Sequence, residues 1–111
     1  MDLNRMPELF CGLERRSGEG PVLYPVACSP QAWAAGAVFL LLEACLGVSV
    51  NARTKTITFR QPKLPPEIPD IKITELGVGD ACVNLAIGRS AADRVEVRTL
   101  SSKGDIRVVV E

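Results

Sequence analysis

Positions 32–42 carry no polar side chain on any side, and from Val48 onward apolar residues recur at every second position. These two patterns divide the chain. Ser29 suits an N-cap, Pro30 suits the first helical position, and Gly47 suits the position just past a helix end. Between them "QAWAAGAVFLLLEACL" contains good helix formers with one glycine, Gly36, so a helix is predicted over 30–46. Beyond it Val48 and Val50 alternate before a turn at "NARTK", and Ile57 and Phe59 share one face of a strand over 56–59. The stretch "RQPKLPPEIPD" has too few amide donors for a central strand and reads as a connector. Strands follow over 71–75, 81–87, 94–99 and 106–110, the last two joined through "SSKGD" as a hairpin. The inward set expected from this period is Ile57, Phe59, Ile73, Val83, Leu85, Ile87, Val95, Val97, Val108 and Val110.

The expected fold class is α+β: one long apolar helix followed by an antiparallel β-sheet or small β-sandwich, with domains over 1–47 and 48–111. Residues 1–28 show no regular period, and "RRSGEGP" marks a loop there. A helix apolar all round is either enclosed by protein or in a membrane. The apolar run is well short of the ~20 residues that a bilayer span needs, so a membrane is set aside. Small residues at Ala32, Ala34, Ala35, Gly36 and Ala37 suit a close neighbour, yet the chain offers no second long helix. The covering partner is therefore expected to be another chain or a second copy docking on the 30–46 helix.

Composition narrows the function classes. Apolar residues make up 47% and charged residues 23%, the balance of a folded domain rather than a disordered one. The formal net charge is zero, so neither nucleic acid nor an anionic membrane is an expected partner. The absence of histidine excludes a Ser-His or Cys-His nucleophile pair within the chain. Cys11, Cys28, Cys45 and Cys82 form no C-x-x-C pair, so neither a metal nor another cofactor is expected. Cys28 and Cys45 read as small buried apolar groups. The start "MDLNRMPELF" lacks an apolar core segment for secretion, which points to the cytoplasm.

The glycines of "GEG" and "GVGDAC" lack the lysine and the strand-to-helix setting of a phosphate loop and read as turns. Tyr24 and Trp33 offer aromatic faces on which a pyranose ring could stack, while Trp33 on an all-apolar helix also reads as a core residue. Glu8, between Pro7 and Leu9, reads in isolation as an exposed loop acid.

The segment "MPELFCGLERRSGEGPVLYPVACSPQAWAAGAVFLLLEACLG" resembles the C-terminal end of the catalytic domain of bacterial glycogen-debranching-like amylo-α-1,6-glucosidases. That group is related to mannosylglycerate-hydrolase-like and glucoamylase-like glycosidases. The specific part is the pairing of "PELFCG" with "YPVACSPQAWA"; the strand region is similar mainly in "PKLPP". The resemblance implies an (α/α)6 barrel that hydrolyses glycosidic bonds with two carboxylic acids. It places Glu8 as the general base, positions 29–33 at the start of a late barrel helix, and Tyr24, Gln31 and Trp33 as substrate-binding residues for an oligosaccharide. Met6 stands where the family usually has leucine, a conservative change. The general acid and most of the barrel have no counterpart in the 111 residues, so the chain is expected to be the tail of that architecture and inactive alone. An inverting glycosidase needs its two carboxyls roughly 6.5–9.5 Å apart, with a water between base and sugar. The competing expectation is a non-catalytic carbohydrate-binding or structural module that self-associates through its apolar helix.

Overall fold

The computed structural model describes residues 6–9, 12–14, 16–20 and 24–111. The chain is α+β and contains two compact units, Met1–Leu41 and Leu42–Glu111, whereas the change of period sets the sequence boundary at Gly47. Among the described residues of the first unit, no regular element precedes the helix.

Helix α1 spans Ala32–Leu46. It starts two residues later than the sequence suggests, because Gln31 rather than Ser29 takes the capping position. The Gln31 side-chain Oε1 accepts a hydrogen bond from the Ala32 N–H at 2.9 Å. Pro30, which follows a cis peptide bond, lies outside the helix instead of in its first turn. The C-terminal end follows expectation, with Gly47 at φ 56 just past the last helical residue. Two later residues secure this end. Lys63 N–H donates to the Cys45 carbonyl at 2.8 Å, and Arg60 N–H donates to the Gly47 carbonyl at 3.0 Å.

The helix shows two kinds of surface. In the second unit, Leu46 is fully buried and Leu42 packs against the strand core. In the first unit, Ala34 is buried, while Phe39 is 74% and Leu40 66% exposed. Trp33 is 65% exposed, so it is not the core residue that an all-apolar helix suggests. Among the described residues, no helix is long and apolar enough to cross a membrane.

The second unit contains β1 (Val48–Asn51), β2 (Thr56–Phe59), β3 (Asp70–Val78), β4 (Ala81–Arg89), β5 (Val95–Lys103) and β6 (Arg107–Val110). They form two three-stranded sheets, ordered β1-β2-β6 and β3-β4-β5. Strands β1 and β2 are an antiparallel hairpin whose turn is held by Asn51. Its Oδ1 accepts from the N–H groups of Arg53 and Thr54, at 3.1 and 3.2 Å. Strands β3, β4 and β5 are an antiparallel meander.

Strand β6 departs from the all-antiparallel expectation, because it pairs with β2 in parallel. A parallel neighbour requires a crossover connection. Here the entire β3-β4-β5 meander serves as that crossover. The "SSKGD" segment is accordingly no hairpin: it carries the chain from one sheet to the other. Gly104, at φ 81, makes this possible, since a Cβ there would lie 3.0 Å from the Ala81 Cβ.

The two sheets share one core of Leu46, Ile57, Phe59, Leu64, Val78, Val83, Leu85 and Ile87. In β4 every second residue from Ala81 to Ile87 is buried, so the period-two pattern is realised there in full. Ile73, Val95, Val97 and Val108 pack against the core from partly buried positions. Val110 does not follow the expected inward pattern and remains 49% exposed, since β6 is an edge strand and the core ends beneath it. Leu64 is a core residue from the proline-rich connector that strand periodicity misses. Its carbonyl accepts a hydrogen bond from Arg89 Nη2 at 2.5 Å, which ties the connector to the end of β4.

A row of irregularities crosses the β3-β4-β5 sheet at Asn84. The β3 register shifts between Ile73 and Leu76, with Glu75 at φ 53, and the β5 register shifts opposite Asn84 and Leu85. Asn84 Oδ1 accepts the Glu75 N–H at 2.7 Å, and its Nδ2 donates to Ser101 Oγ at 2.8 Å. One amide therefore pairs with a backbone donor at the β3 bulge and with a side-chain hydroxyl of the shifted β5. Asn84→Ala is expected to cost about 1 kcal/mol in urea unfolding, because it removes both side-chain bonds while the exposed Glu75 N–H can turn to water. Ser101→Ala removes only the outer bond and should cost about half as much or less.

An ion pair joins the turn of the β1/β2 hairpin to that of the β3/β4 hairpin, with Lys55 Nζ 2.6 Å from Asp80 Oδ1. The hydrogen bond and the charge of Asp80 raise the Lys55 pKa, and the bond from Lys55 lowers that of Asp80. A depressed carboxylate stabilises the fold above its unfolded pKa and loses that contribution as pH falls through the folded value. A raised lysine stabilises below its unfolded pKa and loses its contribution as pH rises through the folded value. Stability from this pair is thus expected to be flat near neutrality and to decline at both the acid and alkaline ends. Because both groups are exposed, the effect is small and screened by salt. Comparing thermal midpoints of Lys55→Met and the parent chain against pH tests this, since the substitution should flatten both flanks.

Candidate functional site

The candidate site is built around Glu8, which lies in an irregular segment and is half-buried rather than an exposed loop acid. Both oxygens of its carboxylate are engaged. Oε2 accepts a close hydrogen bond from the Cys28 N–H, and Oε1 accepts one from Gln31 Nε2 at 2.9 Å. The same Gln31 amide uses its oxygen on the Ala32 N–H at 2.9 Å. Its orientation is thereby determined from both ends: the oxygen faces a helix donor, so the NH2 group faces the carboxylate. The first backbone N–H groups of a helix have no partner within the helix and carry a positive partial charge, which favours a nearby anion. Glu8 is thus tethered beside a helix start by two donors that lie 20 and 23 residues away in sequence.

The structure brings Glu8 and Gln31 together but leaves Tyr24 and Trp33 apart from that contact. Both rings are largely exposed, and among the described residues neither is hydrogen-bonded to Glu8. The backbone carbonyl of Tyr24 accepts the Ala27 N–H at 3.0 Å, forming the turn that leads into position 28. Cys28 is the participant that sequence reasoning misses. Its contribution is a main-chain N–H, which residue type does not advertise. Its thiol is exposed rather than buried, and that of Cys45 is only half-buried, so the reading of both as core groups is corrected. Cys11 lies outside the described residues.

Gln31 has one side-chain N–H left to donate beyond its bond to Glu8. Chemically the arrangement is a carboxylate held in a fixed pose beside a helix start, with two aromatic rings elsewhere on the same unit. Such a carboxylate can orient a water or a hydroxyl. Among the described residues, no group of three or more Cys, Asp or Glu side chains is placed to hold a metal ion. No known protein family, curated protein or solved structure matches the chain.

Proposed function

We propose that the chain is the C-terminal portion of a glycoside hydrolase of the glycogen-debranching type, inactive by itself. In this reading α1 is the last helix of an (α/α)6 barrel, Glu8 is the general base, and residues 48–111 form a trailing β-domain. The observation that supports it most is the bonding of Glu8 to Gln31 and to the Cys28 N–H. These contacts join "PELFCG" to "YPVACSPQAWA", the two segments in which the resemblance is most specific. A general base must be held before it can activate a water, and two donors on its oxygens supply that positioning. Gln31 then serves the base, leaving Tyr24 and Trp33 as the rings open to a sugar. The second carboxylic acid and the remaining wall come from a barrel chain, and the setting is cytoplasmic carbohydrate metabolism.

The test is reconstitution. The 111-residue chain alone should not hydrolyse an α-glucoside, and adding a chain that supplies the rest of the barrel should produce hydrolysis. Robust turnover by the chain alone would refute the reading.

One observation favours a second reading. The exposed Phe39 and Leu40 on α1 suit a self-associating module that binds carbohydrate without cleaving it. Oligosaccharide binding by the isolated chain, without turnover in either setting, would select that alternative.

A further inference from the structure

The edges of the two sheets are not equally protected. Strand β3 carries a bulge at Glu75, and β5 carries a register shift together with Glu96, Arg98 and Lys103. Bulges and charges of this kind are common devices against edge-to-edge pairing. The edges of the other sheet carry no bulge: β1 pairs with β2 without a shift, and β6, "RVVV", runs in unbroken register with β2 with its one charge, Arg107, at its first position.

The direction of its backbone groups can be read from the ladder. Arg107 N–H donates to Lys55, Glu111 N–H donates to Phe59, and the Glu111 carbonyl accepts from Gln61. Residues 107 and 111 therefore face β2, and by the period of two so does Val109. The N–H and C=O groups of Val108 and Val110 point away from the sheet. On the side-chain level the same period puts Val108 and Val110 toward the core face. Val108 packs on the core, while Val110 is left half exposed.

We propose that β6 pairs with β6 of a second copy of this chain, antiparallel and centred on Val109, joining the two β1-β2-β6 sheets into one. The register is selected by the backbone groups, the apolar side chains and the charges together. Antiparallel hydrogen-bonded pairs need outward groups on both strands, and this register sets Val108 opposite Val110 of the other copy in both directions. The same pairing lays Val108 of one copy against the half-exposed Val110 of the other, on the core face. It also sets Arg107 opposite Glu111, again in both directions, on the outer face, where the Glu111 carboxylate already meets Arg60 of its own chain at 3.2 Å through Oε2 and keeps Oε1 for the second copy. A shift by one residue would misalign the backbone groups. A shift by two would take Arg107 away from Glu111. The arrangement is a closed two-fold contact, so it stops at a dimer. It uses neither the exposed helix surface nor Glu8, and stands apart from the glycosidase reading.

Sedimentation equilibrium of the full chain over micromolar concentrations tests the pairing. A reversible dimer is expected. Val110→Pro removes an outward N–H without touching the bonds to β2, and should abolish the dimer while the circular dichroism of the strands persists. Arg107→Glu and Glu111→Arg should each raise the dimer Kd by about tenfold, through like charges directly opposed. With all charge variants made in an Arg60→Gln background, which removes the pair between Arg60 and Glu111 within the chain, the double exchange should restore it, and a merely structural role for either residue would not do so. If Val110→Pro fails to fold, the charge exchange decides alone. A monomer at all concentrations, a dimer indifferent to Val110→Pro, or single charge variants without mutual rescue would each overturn the proposal. So would a dimer lost on Phe39→Ser with Leu40→Ser but retained in Val110→Pro.

Discussion

In the reconstituted barrel, Glu8→Gln is expected to lower α-glucoside hydrolysis by roughly 10²–10⁴-fold, the usual worth of general-base assistance. An amide cannot take the proton from the attacking water, whereas its size is nearly that of the carboxylate. The loss should appear in kcat, since substrate contacts are left in place. The substitution also tests the geometry of the site in the isolated chain. There the Gln31 NH2 group faces Glu8 Oε1, so an amide at position 8 must turn its oxygen to one donor and oppose the other. A destabilisation of about 1 kcal/mol is therefore expected in the absence of any activity. Sequence alone gives no reason for such a cost, because an exposed loop acid has no partners to lose. Reconstituted activity unchanged by Glu8→Gln would mean that the base is another residue.

The largest effect on stability is expected from Gly47→Ala. Gly47 combines a φ of 56 with an intimate approach to the connector, and a Cβ there would lie 2.1 Å from the Arg60 carbonyl oxygen. The left-handed backbone costs a non-glycine residue roughly 1–2 kcal/mol before any contact is considered. The clash is with backbone, so no side-chain rotation relieves it. The Arg60 carbonyl must move, and the bond from Arg60 N–H to the Gly47 carbonyl at 3.0 Å moves with it. A combined loss of about 3 kcal/mol or more is expected, and a domain of this size has only ~5 kcal/mol or somewhat more to lose. Urea denaturation should show the strand unit largely unfolded under mild conditions. Gly36→Ala is the matched control. Its added Cβ meets nothing within 4 Å, and in a helix interior the exchange should instead stabilise by roughly 1 kcal/mol. Equal effects of the two substitutions would contradict the close approach at Gly47.

Much of the local structure is legible in residue order because its causes are local. The end of α1 at Gly47, the turn after Asn51 and the buried alternation along β4 follow from backbone freedom, a short polar side chain and the two-residue period of a strand. The identity of Glu8 as the candidate carboxylate is likewise visible, through the resemblance of the segment around it. What tertiary structure decided concerns partners distant in sequence. Gln31 replaces Ser29 as the cap because its amide is held simultaneously by Glu8 and by the Ala32 N–H. Cys28 enters the site through its main chain, whose N–H is common to nearly every residue type. Leu64 becomes core inside a connector that has no strand period, since Arg89 holds its carbonyl from the end of β4. "SSKGD" reads as a hairpin by its turn residues, yet the chain crosses there to another sheet. Turn chemistry specifies that a chain bends, while the choice of neighbouring strand rests on long-range packing. Val110 shows the same division: its period points inward, but how far the core extends beneath an edge strand is settled only when both sheets are in place.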